Sequence, residues 1–255
     1  MQNSNVILSC KGLSKNFGGL AAVSNLDFDI YEGEVLGLIG PNGAGKTTVF
    51  NLITGVLKAD KGSVIFKGRD LLKMGANKIT ELGVGRTFQL IRAFEDMTVL
   101  DNVAIGGLFG RQKSHEDARE DGMRYLSFVD MDDCPDVRIK NLTPFDRKRA
   151  ELASVLNTEP SLVLLDEFKA GLNEGELKNA IALTKRIRNE LGKTIFWIEH
   201  VMKAIMTVAE RIIVLDYGKK IAEGVPKDIS KNPDVIAAYL GAEFVEESAE
   251  SARSE

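Results

Sequence analysis

Nine residues, Gly40–Thr48 (GPNGAGKTT), constrain this chain more than any other stretch. They fit the pattern G-x-x-x-x-G-K-[ST]. An apolar run, EVLGLIG, leads into them, and a helix-like run, TTVFNLITGVL, follows and stops near Gly55. A strand before and a helix after is the context this pattern requires. The glycines let the main chain wrap close to phosphate oxygens, where amide hydrogens at the helix start supply fixed positive potential. Lys46 adds a point charge suited to β- and γ-phosphates, and Thr47 offers a hydroxyl to Mg²⁺. A glycine-rich turn with a chance lysine is the bland alternative, and both flanks speak against it.

Around this loop the pattern alternates. In Ser24–Tyr31, Leu26, Phe28 and Ile30 fall on one face and Asn25, Asp27 and Asp29 on the other, which predicts a half-buried strand. SVIF and the KGRD turn after it suggest a further strand edge. From Thr98 to Asn157 the chain turns helical and charged, most of all in RQKSHEDAREDGMR, and predicts an inserted helical lobe. Alternation resumes with LVLLDE, ELKNAIALTKRIRNELG, TIFWIEH, VMKAIMTVAE and RIIVLD, after which DYGKK forms a hairpin turn into IAEG. Strands interleaved with helices predict an α/β fold with a largely parallel sheet. The expected divisions are 1–97 and 158–242 for the two parts of a core, 98–157 for the lobe, and 243–255 for an acidic tail without fixed structure.

Composition excludes some classes. The formal net charge of −4 gives no field that favours nucleic acid, so no nucleic-acid partner is expected. Cys10 and Cys134 make neither a metal-spaced pair nor a disulfide framework. The start, MQNSNVILSC, lacks a basic segment before an apolar one, and no run of about 18 apolar residues is present to span a bilayer. The expectation is a soluble, cytoplasmic chain.

Two apolar strands end in residues that carry chemistry. Asp166 closes LVLLD, so its carboxylate emerges at the carboxyl edge of the sheet, where open α/β sheets bind ligands. There it can hold a Mg²⁺ shell, and Glu167 beside it can orient or deprotonate an attacking water. Alone, such a string is often only a strand end. His200 closes TIFWIEH and can reach a γ-phosphate from the same edge, although a lone histidine is usually structural. His115, in the charged segment, reads as a bystander. Gln89 in GRTFQL is either a loop amide or a ligand to metal or attacking water, and spacing alone does not separate the two.

Together these residues resemble the ATP-binding subunit of ABC transporters, from about Val6 to Gly241. The resemblance implies a P-loop NTPase core with a mostly parallel sheet, an N-terminal antiparallel β subdomain and an inserted helical subdomain. It implies ATP and Mg²⁺ as cofactors, with Phe17 stacking on adenine and Gly40, Asn42, Gly43, Ala44, Gly45, Lys46, Thr47 and Thr48 holding the phosphates. It makes Thr47, Gln89 and Asp166 the metal-side residues, Glu167 the catalytic glutamate and His200 the switch histidine. AGLN, IEHVMKAIM and VIAAYLG look like the ATPases of branched-chain or hydrophobic amino-acid importers, and of related urea and amide importers. Such subunits sit peripherally on the cytoplasmic face of the inner or plasma membrane. Their partners are transmembrane permease subunits, a second ATPase subunit and, indirectly, a solute-binding protein.

One stretch departs from that family. Two such ATPases close face to face, each completing the other's nucleotide site with a signature helix that begins like L-S-G-G-Q or L-S-Y-G-Q. Here the corresponding residues, Leu142–Asp146, read LTPFD. Phe145 stands in place of the glycine that admits a γ-phosphate, Pro144 has no amide hydrogen, and Asp146 brings negative charge. Thr143 and Asp146 form an [ST]-x-x-[DE] capping pattern. The expectation is a helix start that caps itself and binds ATP poorly, which favours a heterodimer in which a different subunit supplies the intact signature. Phe168, where proline is usual, is a second departure.

Overall fold

The computed structural model describes residues 5–88, 93–166, 173–199 and 201–239. In chain order the elements are β1 Val6–Phe17, β2 Leu20–Tyr31, β3 Val35–Ile39, α1 Lys46–Ile53, β4 Lys61–Phe66, β5 Arg69–Asp70, α2 Ala76–Leu82, β6 Val84–Arg86 and α3 Val99–Gly110. There follow α4 His115–Phe128, α5 Pro144–Asn157, β7 Leu162–Asp166, α6 Glu174–Asn189, β8 Thr194–Ile198, α7 Met202–Val208, β9 Arg211–Asp216, β10 Lys219–Gly224 and α8 Pro226–Ile229. The chain forms two compact units, Met1–Lys73 with Trp197–Glu255, and Met74–Phe196.

The first unit holds an antiparallel sheet in the order β2-β1-β4-β5 and a second set of strands in the order β10-β9-β3. β3 pairs with β9 in parallel and is buried at every residue, as a strand covered on both faces must be. β9 and β10 are the antiparallel hairpin expected at DYGKK, with Tyr217 and Gly218 both at positive φ, 42° and 75°. In β2 the burial pattern follows the predicted alternation, with Leu26, Phe28 and Ile30 inside.

The second unit is the helical region with two parallel strands, β6 and β7. α3, α4 and α5 pack on one another, and Gly106 permits the α3–α5 approach. A Cβ there would stand 2.0 Å from the Ser154 carbonyl oxygen. Asn157, at the end of α5 and fully buried, donates to the Val103 and Ala118 carbonyl oxygens, each at 3.0 Å, and ties α5 to both neighbours. β1, α2 and β6 are elements that the sequence pattern did not announce.

Candidate functional site

The loop at Gly40–Thr48 is built by the first unit. β3 delivers the chain into it, and α1 starts at Lys46 with Gly45 as its N-cap at φ 102°. A Cβ on Gly45 would stand 2.3 Å from the Ala22 carbonyl oxygen, so both the left-handed turn and the close approach to β2 demand glycine. The loop is braced further by Ala44, whose carbonyl oxygen accepts from the Gly218 amide at 3.0 Å, while the Gly218 carbonyl accepts from Ser24 at 2.8 Å. A glycine N-cap has no side chain to engage the first-turn amides, so α1 presents them to a ligand.

Lys46 is buried and folds back over the loop, donating from Nζ to the carbonyl oxygens of Gly40 at 2.8 Å and Pro41 at 3.0 Å. Asn42 and Gly43 are exposed, Ala44 is buried, and Thr47 and Thr48 are half-buried on the first turn of α1. Phe17 ends β1 with its side chain about half exposed and the Lys15 ammonium 5.6 Å from the ring centre. Tyr239 is a residue the sequence did not single out. Burial pushes its pKa up to about 12, against an opposing pull from the Gly40 main chain. No local motif marks it, because the contact joins residues nearly two hundred positions apart.

Asp166 belongs to the second unit. It ends β7, and its carboxylate is fully buried in an ion pair with Arg86, Nη2 to Oδ2 at 2.6 Å. Parallel pairing of β6 with β7 sets this up, matching Arg86 to Leu164. Thr87 continues the register, donating its amide to the Leu164 carbonyl at 3.0 Å and accepting the Asp166 amide on Oγ1 at 3.1 Å. Asp166 Oδ1 is buried and has no hydrogen-bond partner among the described residues. A buried carboxylate oxygen left in this way suits an ion or water. Gln89, Glu167, Phe168 and His200 lie outside the described residues.

The start of α5 takes the form the capping pattern predicts, with one difference in detail. Thr143 Oγ1 accepts the Asp146 amide at 3.1 Å, and Pro144 occupies the first helical position. Asp146 reaches back to the Thr143 hydroxyl, Oγ1 to Oδ2 at 2.8 Å, while its other oxygen pairs with Arg149 one turn on. The Arg149 guanidinium lies 5.4 Å from the centre of the buried Phe145 ring. Side chains of this chain thus fill the helix start. Phe88 is gripped from the same helix: its amide donates to Glu151 Oε1 at 2.8 Å, and its carbonyl accepts from Lys148 Nζ. Burial raises the Glu151 pKa above the ordinary carboxylate range, against the opposing pull of Lys148.

Comparison with known proteins places these features in a family. The family model for ABC transporters matches residues 23–170, and that for the branched-chain amino acid ATP-binding cassette transporter matches residues 219–245. The high-affinity branched-chain amino acid transport ATP-binding protein LivG of Escherichia coli K12 is 38% identical over 252 residues, covering 93% of this chain and 99% of that protein. BraF of Pseudomonas aeruginosa, of the same description, is 36% identical with the same coverage. Among solved structures, the ADP conformation of MJ1267, an ATP-binding cassette of an ABC transporter, superposes with a TM-score of 0.84 at 28% identity. That match covers 93% of this chain and 100% of MJ1267. A family model matched over more than half of the chain, and relatives aligned over nearly all of it, show that this chain belongs to the ABC transporter family, among its ATP-binding proteins.

Proposed function

We propose that this ATPase powers an importer of branched-chain or other hydrophobic amino acids, working on the cytoplasmic face of the membrane with permease subunits and a second, different ATPase subunit. The solute class is supported by the relatives named for branched-chain amino acid transport and by the matching model over residues 219–245. None of the described helices is long and apolar enough to cross a membrane. An apolar groove on the helical unit, lined by Phe94, Met97, Ile105, Leu108 and Phe109, supports docking to the permease subunits, with Phe109 76% exposed.

In the mechanism we infer, the amides of the loop and α1 take the triphosphate, and Lys46 turns from its carbonyl contacts to the phosphate oxygens. The exposed face of Phe17 receives adenine. Thr47, Gln89 and Asp166 are the residues to hold Mg²⁺, and the orphaned Oδ1 of Asp166 fits a cation. The metal would neutralise phosphate charge as the terminal phosphoryl group transfers. The roles we assign from the family resemblance are orientation of the attacking water for Glu167 and an interaction with the γ-phosphate for His200.

The observation that carries the heterodimer is the start of α5, filled by Thr143, Phe145 and Asp146. An intact loop with an occupied signature position leaves the pair of subunits one complete site, built from this chain's loop and the partner's signature. The same observation favours a second reading, a nucleotide-binding regulatory protein with weak turnover. Coexpression with a partner ATPase and permeases separates the cases through ATP-driven uptake. Lys46→Ala abolishes uptake and Asp146→Ala leaves most of it in the one-site assembly. Equal loss from both overturns that assembly. ATP turnover that stays negligible even with the partner present selects the regulatory reading.

A further inference from the structure

The Arg86–Asp166 pair has no counterpart among the residues assigned above. We propose that Arg86 is a positioning residue that divides the Asp166 carboxylate between two cations. Its guanidinium keeps Oδ2, leaving Oδ1 alone to a divalent metal and weakening the protein's hold on that metal. This rests on the reading of Asp166 as a metal ligand.

Three features of the second unit support it. The guanidinium is nearly as buried as the carboxylate, with side chains 5% and 0% exposed, so solvent does little to screen the 2.6 Å contact. Arg86 also has little freedom to leave. It sits on the β6–β7 ladder and lies against the Phe88 ring, 4.9 Å from its centre. Phe88 in turn is gripped through both main-chain polar groups by Glu151 and Lys148 of α5. Finally, one carboxylate oxygen is satisfied while the other is buried without a partner among the described residues. A free carboxylate can swing or chelate through both oxygens; this one is restricted to a single oxygen in one direction.

The consequence is electrostatic. A fixed positive charge beside the ligand opposes a second cation, so the metal's residence depends more on the phosphates that arrive with it and less on the protein. Metal would then enter with nucleotide and leave when the phosphates go.

Mn²⁺ binding in the presence of ADP, followed by the electron paramagnetic resonance signal of the free ion, tests this on the full chain. Arg86→Gln keeps a hydrogen-bond donor and removes the charge, so Mn²⁺ should bind about three- to tenfold more tightly than to the unmodified protein. Unchanged or weaker binding overturns the proposal. Asp166→Asn reports on the premise separately: a loss of roughly tenfold or more in Mn²⁺ affinity supports Asp166 as ligand, and no loss removes both premise and proposal. Should Arg86→Gln fail to fold, nitrogen-15 arginine spectra of the unmodified chain decide. Hindered guanidinium rotation of Arg86 that persists in Mg²⁺·ADP supports a shared carboxylate. Free rotation there shows that the metal displaces Arg86 and overturns it.

Discussion

At Gly45 a single missing Cβ sets the shape of the phosphate loop. The residue combines φ 102° with a carbonyl oxygen 2.3 Å from where a methyl group would sit. Gly45→Ala should therefore cost about 2–4 kcal/mol and abolish nucleotide binding, read by thermal unfolding and by a fluorescent ATP analogue. Cys10 makes a different prediction. Burial in β1 pushes its thiol up to about 12 from an ordinary 9.0, with Asp27 adding to the shift. The folded protein therefore keeps Cys10 neutral, and the stability gained from this is intact below pH 9 and is lost as pH rises from 9 toward 12. Iodoacetamide at pH 8 should leave Cys10 unmodified in the native protein and label it in denaturant; rapid native labelling would show that the strand opens. The loop itself was legible because its pattern is local: the spacing of Gly45 and Lys46 places a glycine turn at the start of α1. Arg86 and Tyr239 were not, since each acquires its partner only through tertiary structure, across 80 positions for the Arg86–Asp166 pair.

The two helix starts α1 and α5 show how one physical device serves opposite ends. α1 opens on glycine and leaves its amides for a ligand, whereas α5 opens on Thr143-Pro144 and meets its own need from Thr143 Oγ1. Thr143→Ala should destabilise the second unit by about 1 kcal/mol, a fall of about 2–4 °C in melting temperature. A comparable loss of ATP-driven uptake beyond that expected from melting would mean the hydroxyl contacts nucleotide. Both starts were visible in the sequence, because caps depend on residues within four positions. β1 was not. Its register against β2 shifts repeatedly, between Val6 and Leu8, Cys10 and Leu13, and Leu13 and Lys15, so the period of two that marks a strand is broken. α2, at seven residues, and β6, at three, are too short to leave a period at all. Yet β6 carries Arg86 to the carboxylate at the end of β7. A short element escaped notice exactly where a long-range contact mattered.

For the whole molecule, the question is which surface closes on which nucleotide. Two copies of this chain would set two intact loops against two self-capped helices, each with the Asp146 carboxylate near where a triphosphate must lie. Although Arg149 pairs with that carboxylate, the helix start has little to offer a triphosphate, since Thr143 Oγ1 takes the Asp146 amide and the Pro144 nitrogen has no hydrogen. A partner with an open, glycine-bearing helix start removes both obstacles at one of the two sites. On the role proposed for Glu167, Glu167→Gln should slow hydrolysis and trap any ATP-closed dimer. With ATP, this variant alone should elute as a monomer, while a mixture with the partner ATPase should elute as a one-to-one complex that ADP does not support. Replacing Pro144→Tyr, Phe145→Gly and Asp146→Gln in the same chain should let two copies associate in ATP. That variant also loses the buried Phe145 ring, at about 3–5 kcal/mol, so its melting curve must accompany the elution profile. The unmodified helix start is the decisive arm. If Glu167→Gln alone forms a homodimer with ATP, the self-capped α5 is no barrier to closure, and the need for a second kind of subunit disappears.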